Sequence, residues 1–233
     1  MTDKQLIVDP KDASCFATLN EAIADAMDGE KIMVKSGEYR ENLIVDKQIY
    51  IIGDGPLEDV RVIGDGVSPV ISSQSPLLNL RNLTLVNSSG KVPTIECASG
   101  ICDVKYCAMQ GGNFGVTGLS GSRISVDNSS ITGAVEGGIY GSECIGVTVA
   151  DTLIEKCSGI GIVAEDCQEL FVERTTIMDV TPHGILCTGD GAFEVKDTEI
   201  IGVPSAPISD NGVPAADDME RIWYERREIE EDE

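Results

Sequence analysis

A pattern with a period near 23 residues runs through the middle of the chain. Its first anchors are Leu80, Val104, Val126, Val149, Val172 and Val195, spaced 24, 22, 23, 23 and 23 residues apart. Five residues after each anchor come Leu85, Met109, Ile131, Ile154, Ile177 and Ile200. Two residues before each lie Leu78, Cys102, Ile124, Val147, Leu170 and Phe193, the period-2 alternation of a strand. A third apolar element follows: Ile95, Val116, Ile139, Ile162, Ile185 and Ile208.

Three short strands per period have a direct geometric meaning: each period is one coil of a parallel β-helix. Stacking coils about 4.8 Å apart puts equivalent residues in register and buries the inward row. The repeat therefore predicts an all-β solenoid of about eight coils, with Gly at the corners where tight bends need unusual dihedrals. Three residues after the anchors, Ser129, Thr152, Thr175 and Thr198 form a small column between two buried rows. It reads as a structural hydroxyl ladder that hydrogen-bonds between coils. Cys144 and Cys167 occupy equivalent positions and read as stacked thiols rather than a disulfide.

A solenoid must cover its ends, or the last coils expose core and unpaired edges. Residues 18–28 predict an N-terminal capping helix. Leu19, Ala22, Ile23, Ala26 and Met27 share a helical face, Thr18 and Glu21 form a capping box, and Gly29 suits the C′ position. Strands are expected near 31–35, 42–45, 48–52, 59–63 and 69–72. Residues 203–215, with Pro204, Pro207 and Pro214, read as irregular chain. The β-helix is thus expected to occupy residues 1–215, and 216–233 to form an acidic tail with a short helix over 216–230. Met219, Ile222, Trp223, Arg226 and Ile229 give that helix a rough stripe. It either caps the last coil or, through Trp223, Tyr224 and Arg226, binds a partner.

Charge narrows the partners. Forty acids against 17 bases leave a formal charge of −23. That disfavours nucleic acids, anionic membranes and, less strongly, polyanionic glycans. The N-terminus, MTDKQLIVDP, shows no basic region followed by an apolar one, which points to a cytoplasmic protein. The eight Cys form no CxxC pair and there is one His, so no zinc site is expected. The thiols are expected to be reduced and to serve as small core residues.

The segment TLNEAIADAMDGEKIMVKSGEYRENLIVDKQIYIIGDG supplies Glu21, Ala22 and Ala26, then Gly37, Tyr39 and Glu41, then the strand ending Ile51 to Gly55. On these elements and the later coils, residues 15–201 resemble the right-handed parallel β-helix proteins of the pectin-lyase-like superfamily. Relatives include pectin-methylesterase-like and NosD-type β-helices, and the carbohydrate-binding and sugar-hydrolase repeat domains of some F-box and SHC-binding proteins. The resemblance implies a right-handed fold. It does not imply one activity, because unrelated activities share the repeat.

The sequence carries no complete catalytic set of such families. Pectin-methylesterase-like chemistry would need a Gln, paired Asp and an Arg on adjacent coils, and no segment matches. Pectate-lyase-like chemistry would need a base beside calcium-binding Asp. The bases Arg81, Lys105, Arg123, Lys156, Arg174 and Lys196 instead read as scattered, acid-compensated surface groups. Alginate-type C5-epimerases use a D-P-H-D-like segment. DVTPHGIL supplies Asp179, Pro182 and His183 but lacks the second acid, leaving Asp179 and His183 as the catalytic candidates. His183 equally suits a structural corner, since Ile160 and Gly137 fall at the same place in neighbouring coils. The GDG tripeptides at Gly53, Gly64 and Gly189 read as turns; no cofactor is expected, with Ca2+ on surface acids the one alternative.

Two function classes follow. One is a non-enzymatic recognition or scaffold module for a protein or a glycan. The other is a carbohydrate-active enzyme of lyase, esterase or C5-epimerase type. A groove holding converging acids plus Arg or His would favour the enzyme.

Overall fold

The computed structural model describes residues 5–205, 207–210, 213–214 and 223–225. Three nine-stranded sheets wrap one core, and each coil contributes a strand to each sheet in turn. The chain thus makes about nine coils where the repeat predicts about eight. Eight coils supply a strand to all three sheets, and the ninth strand of each sheet comes from the ends of the chain, Gln5–Val8, Trp223–Glu225 and Val213–Pro214. The first sheet begins at Gln5–Val8 and ends at Ala192–Lys196. The second runs from Gly37–Tyr39 to Trp223–Glu225, and the third from Leu43–Val45 to Val213–Pro214.

Registers follow the repeat: Leu80 pairs with Val104, Val104 with Val126, and so on to Val195. All three predicted inward rows are buried, from Leu80, Leu85 and Ile95 to Val195, Ile200 and Ile208. These aliphatic stacks carry the hydrophobic stabilisation, at about 1.5–3 kcal/mol for each fully buried large side chain. The eight cysteines are all free, and seven of them are buried in the same core.

The corners depart from the expected glycine rule. Between the first and second sheets every regular coil turns on a non-glycine residue with positive φ: Asn82, Tyr106, Asn128, Asp151, Arg174 and Asp197. That conformation is uncommon outside Gly, Asn and Asp. Here it bends the chain without breaking the ladder. The amide of each corner residue from Asn82 to Arg174 donates to a carbonyl of the next coil at 3.1–3.2 Å. The hydroxyl column follows these corners. Ser129, Thr152, Thr175 and Thr198 donate to the carbonyls of Asp127, Ala150, Glu173 and Lys196 at 2.7–3.0 Å. Ser129 Oγ also accepts the amide of Cys107 (3.1 Å), and Thr152 Oγ1 that of Ser129 (3.4 Å), so the column links coils as predicted.

At the N-terminal end the helix Leu19–Asp25 packs over the first coil, with Leu19, Ala22 and Ile23 buried. Thr18 and Glu21 make the capping box. The helix stops before the expected end: Ala26 is already extended, Met27 is 63% exposed, and Gly29 is not its C′ residue. Residues from the next turn hold both ends. The Glu41 carboxylate accepts the amides of Leu19 (2.9 Å) and Asn20 (3.0 Å). Lys47 Nζ donates to the carbonyls of Ile23, Ala24 and Ala26 at 2.8–3.0 Å. Tyr39 is buried and its hydroxyl donates to the Lys35 carbonyl at 2.7 Å, with burial pushing its pKa up to about 12.

At the other end Ile208–Asp210 and Val213–Pro214 form a short antiparallel pair where irregular chain is expected. Trp223–Glu225 is a strand, pairing in parallel with Glu199–Ile201, and not part of the expected helix. A further rung continues the open edge of the second sheet and satisfies its backbone groups, which a helix there would leave unpaired. The rest of 216–230 lies outside the described residues.

Candidate functional site

The outer face of the third sheet concentrates what the other faces lack. Register places Ile44, Ser72, Glu96, Thr117, Tyr140, Val163, Leu186 and Ser209 in one outward column. Beside it runs a second outward row through Phe114, Gly137 and Ile160, which His183 continues in the next coil. The Phe114 and Tyr140 rings stack with centroids 5.1 Å apart and planes at 23°. Gly137 makes this possible. A Cβ there would lie 2.8 Å from Phe114 Cε1 and 2.3 Å from the Ile160 carbonyl.

Polar groups frame the pair. Tyr140 Oη donates to Glu165 Oε2 at 2.5 Å, and that bond raises the Tyr140 pKa. Ser72 Oγ donates to Glu96 Oε1 at 3.3 Å, two coils below Tyr140. Between them Thr117 is only 8% exposed, and its Oγ1 has no hydrogen-bond partner among the described residues. Phe114, Tyr140, Ile160, Val163, His183 and Leu186 are all partly exposed, giving an apolar platform edged by carboxylates.

A sequence profile described as "Right handed beta helix region" matches residues 69–214, more than half of the chain. The chain belongs to this right-handed β-helix family. A search of curated protein sequences returns no significant match. Among solved structures, this β-helix is similar to pectin methylesterase PemA from Erwinia chrysanthemi, with a TM-score of 0.59 and 11% identity over 90% of this chain and 81% of that one. The pectin methylesterase from Aspergillus niger gives a TM-score of 0.54 and 16% identity over 95% and 90% of the two chains. A pectin methylesterase in complex with a hexasaccharide gives 0.57 and 13% over 93% and 92%. At these identities the likeness shows a shared fold.

The residues singled out from sequence occupy several places in this β-helix. Asp179 sits at a corner with φ 52°, in the same structural role as Lys156 (φ 54°) one coil below. With Lys156, Ser158, Thr181 and Pro204 it lines a shallow depression of about 580 Å3. His183 does not line that depression; it stands at the end of the platform row. Trp223 and Tyr224 lie on the last strand of the second sheet, and Arg226 lies outside the described residues. No group of three or more His, Cys, Asp or Glu able to hold a metal ion occurs among the described residues. No helix among them is long and apolar enough to cross a membrane.

Sequence reasoning followed the inward rows and so passed over Glu96, Thr117, Tyr140 and Glu165, which lie between or beside buried positions. Phe114 and Tyr140 are 26 residues apart, off the period, because they belong to different outward rows. Gly137 and Gly138, a glycine pair at a strand start, were the available signal that something large lies against that coil.

The first sheet bears a different outer face. Lys105 lies within 3.6 Å of Asp103 and 4.0 Å of Asp127, and Arg123 pairs with Glu169 at 3.1 Å. These are the compensated surface pairs expected from sequence, each worth about 0–1 kcal/mol.

Proposed function

We propose that this β-helix is a recognition module for a saccharide, bound on the outer face of the third sheet. The observation that carries the reading is the stacked Phe114–Tyr140 pair between Glu96 and Glu165 on an open face. A pyranose ring presents an apolar C–H face and a rim of hydroxyls. Aromatic rings complement the first, and carboxylates accept strong hydrogen bonds from the second. The stacked coils repeat roughly every 4.8 Å, so a chain of sugars can lie along the column. The net charge of −23 argues against a polyuronate.

A glycan panel titrated against the full chain tests this. Binding of an oligosaccharide that falls at least about tenfold in both Phe114→Ala and Tyr140→Ala, with the melting temperature held, supports it. Binding unchanged by both variants removes it. The second reading, a carbohydrate-active enzyme, draws on the fold shared with the pectin methylesterases. Its test is product analysis on the same panel: cleavage, de-esterification or epimerisation lost in Asp179→Ala or His183→Ala.

A further inference from the structure

We propose that Cys144 and Cys167 form a two-coordinate site for a soft monovalent cation of the Cu(I) class, held between two successive coils. The site is independent of the saccharide face.

The pair stands at the corner between the third sheet and the first, just after the strands Gly137–Ser142 and Ile160–Glu165. The Gln168 amide donates to the Cys144 carbonyl at 2.9 Å, which keeps the two residues in register one coil apart. The Cys167 thiol donates a hydrogen bond to Cys144 Sγ, so the sulfurs face each other. Ser122 takes the same place one coil below, and its Oγ lies 3.4 Å from Cys144 Sγ.

The surroundings leave room at the sulfurs. The inward column beside them narrows to Gly118, Gly141 and Ala164 between Cys97 and Cys187. A Cβ at Gly141 would lie 3.1 Å from Cys167 Sγ and 3.4 Å from Cys144 Sγ. The missing side chain therefore leaves a cradle against both sulfurs. On the far side Cys167, Cys187, Leu170 and Phe193 line a cavity of about 10 Å3, room for about one water. Cys144 is fully buried and Cys167 is 6% exposed, so this cavity is the way in for a small ion.

Ligand number and spacing select the ion. A disulfide needs an S–S bond of about 2.05 Å and Cβ atoms about 3.5–4.5 Å apart. Coils stacked about 4.8 Å apart hold equivalent positions wider than that. An ion between the sulfurs spans the wider gap, because each metal–sulfur bond is itself about 2.3 Å, as for zinc. Zinc takes four ligands, and no group of three or more His, Cys, Asp or Glu able to hold a metal occurs among the described residues. Calcium and magnesium take oxygen. Two thiolates alone suit a soft monovalent ion. Binding forms two metal–sulfur bonds and releases two thiol protons to solvent, with no change of oxidation state. The bis-thiolate keeps one negative charge, and the Ser122 hydroxyl donates to its Cys144 sulfur.

The test titrates Cu(I) anaerobically into the full chain against a chromophoric Cu(I) chelator. The unaltered chain is expected to hold one equivalent at least about 100-fold more tightly than Cys144→Ser combined with Cys167→Ser, with the melting temperature as the folding control. Ag(I), which needs no reductant, is expected to give the same stoichiometry. X-ray absorption on the one-equivalent complex of the unaltered chain is expected to show two sulfur ligands, a reading that depends on no variant. Equal affinity in the double variant overturns the site, as do three or more sulfur ligands. Loss of the equivalent in Cys97→Ser combined with Cys102→Ser, while the Cys144 and Cys167 variant keeps it, assigns the ion to another pair and overturns it too.

Discussion

At the scale of single residues, the corners and the platform place opposite demands on side chains. Tyr106 adopts φ 54° while its column neighbours in that conformation are Asn82 and Asn128. Its ring is 53% exposed, so little packing is at stake. Tyr106→Asn is therefore expected to raise stability by about 0.5–1 kcal/mol, read as a higher urea midpoint, because Asn tolerates the left-handed region better. Gly137 tolerates nothing larger. Gly137→Ala places a Cβ 2.3 Å from a backbone carbonyl and against the Phe114 ring. The expected result is a loss of about 1–3 kcal/mol, with the Phe114–Tyr140 stack disturbed. An unchanged melting temperature would contradict that account. Among the thiols only Cys15 is partly exposed. Native alkylation is expected to label Cys15 alone, and all eight cysteines only after unfolding, as read by mass spectrometry.

At the scale of elements, the capping helix shows how a short segment is held. At seven residues the helix is too short to be stable in isolation. It persists because Glu41 satisfies amides at one end and Lys47 carbonyls at the other. Glu41→Ala leaves those amides without their carboxylate, and a loss of about 1–2 kcal/mol is expected, seen as early hydrogen exchange in 18–26. The motif residues Tyr39 and Glu41 thus acquire separate physical reasons. Gly53 in the IIGDG segment has one too: a Cβ would lie 1.9 Å from the Asn82 carbonyl. Asn82 in turn donates to the carbonyls of Gly53 and Gly55 at 3.0 and 2.8 Å, which fastens that loop.

At the scale of the whole molecule, the buried thiols tie stability to pH. Burial pushes the pKa values of Cys107 and Cys187 up to about 12 from 9.0. The folded form keeps these protons where the unfolded chain has lost them. Their stabilisation is complete below the unfolded pKa and falls as pH rises from 9.0 towards about 12. Chemical denaturation across that window is expected to show a falling alkaline limb that Cys107→Ala makes shallower. The Cys144–Cys167 pair moves in opposite directions: the hydrogen bond donated by Cys167 holds Cys144 down to about 7 and raises Cys167 itself. It therefore adds no simple slope. A limb with the same steepness in Cys107→Ala would show that other groups govern it.

The repeat alone determined the coil, its three sheets and the inward rows, because burial demands the same residue type at the same place in every turn. Asn82, Asp151 and their column were legible as turn residues only in part, since Tyr106 and Arg174 carry no such signal in their side chains. The capping box was readable because it is local, whereas Glu41 and Lys47 act across about 20 residues of chain. The C-terminal stripe looked helical by spacing, yet an open sheet edge made a strand of Trp223–Glu225. The platform belongs wholly to tertiary structure. Most of its outward positions stay partly exposed and so show no period, and only stacking brings Glu96, Phe114, Tyr140 and Glu165 to one face while leaving Asp179 at a corner.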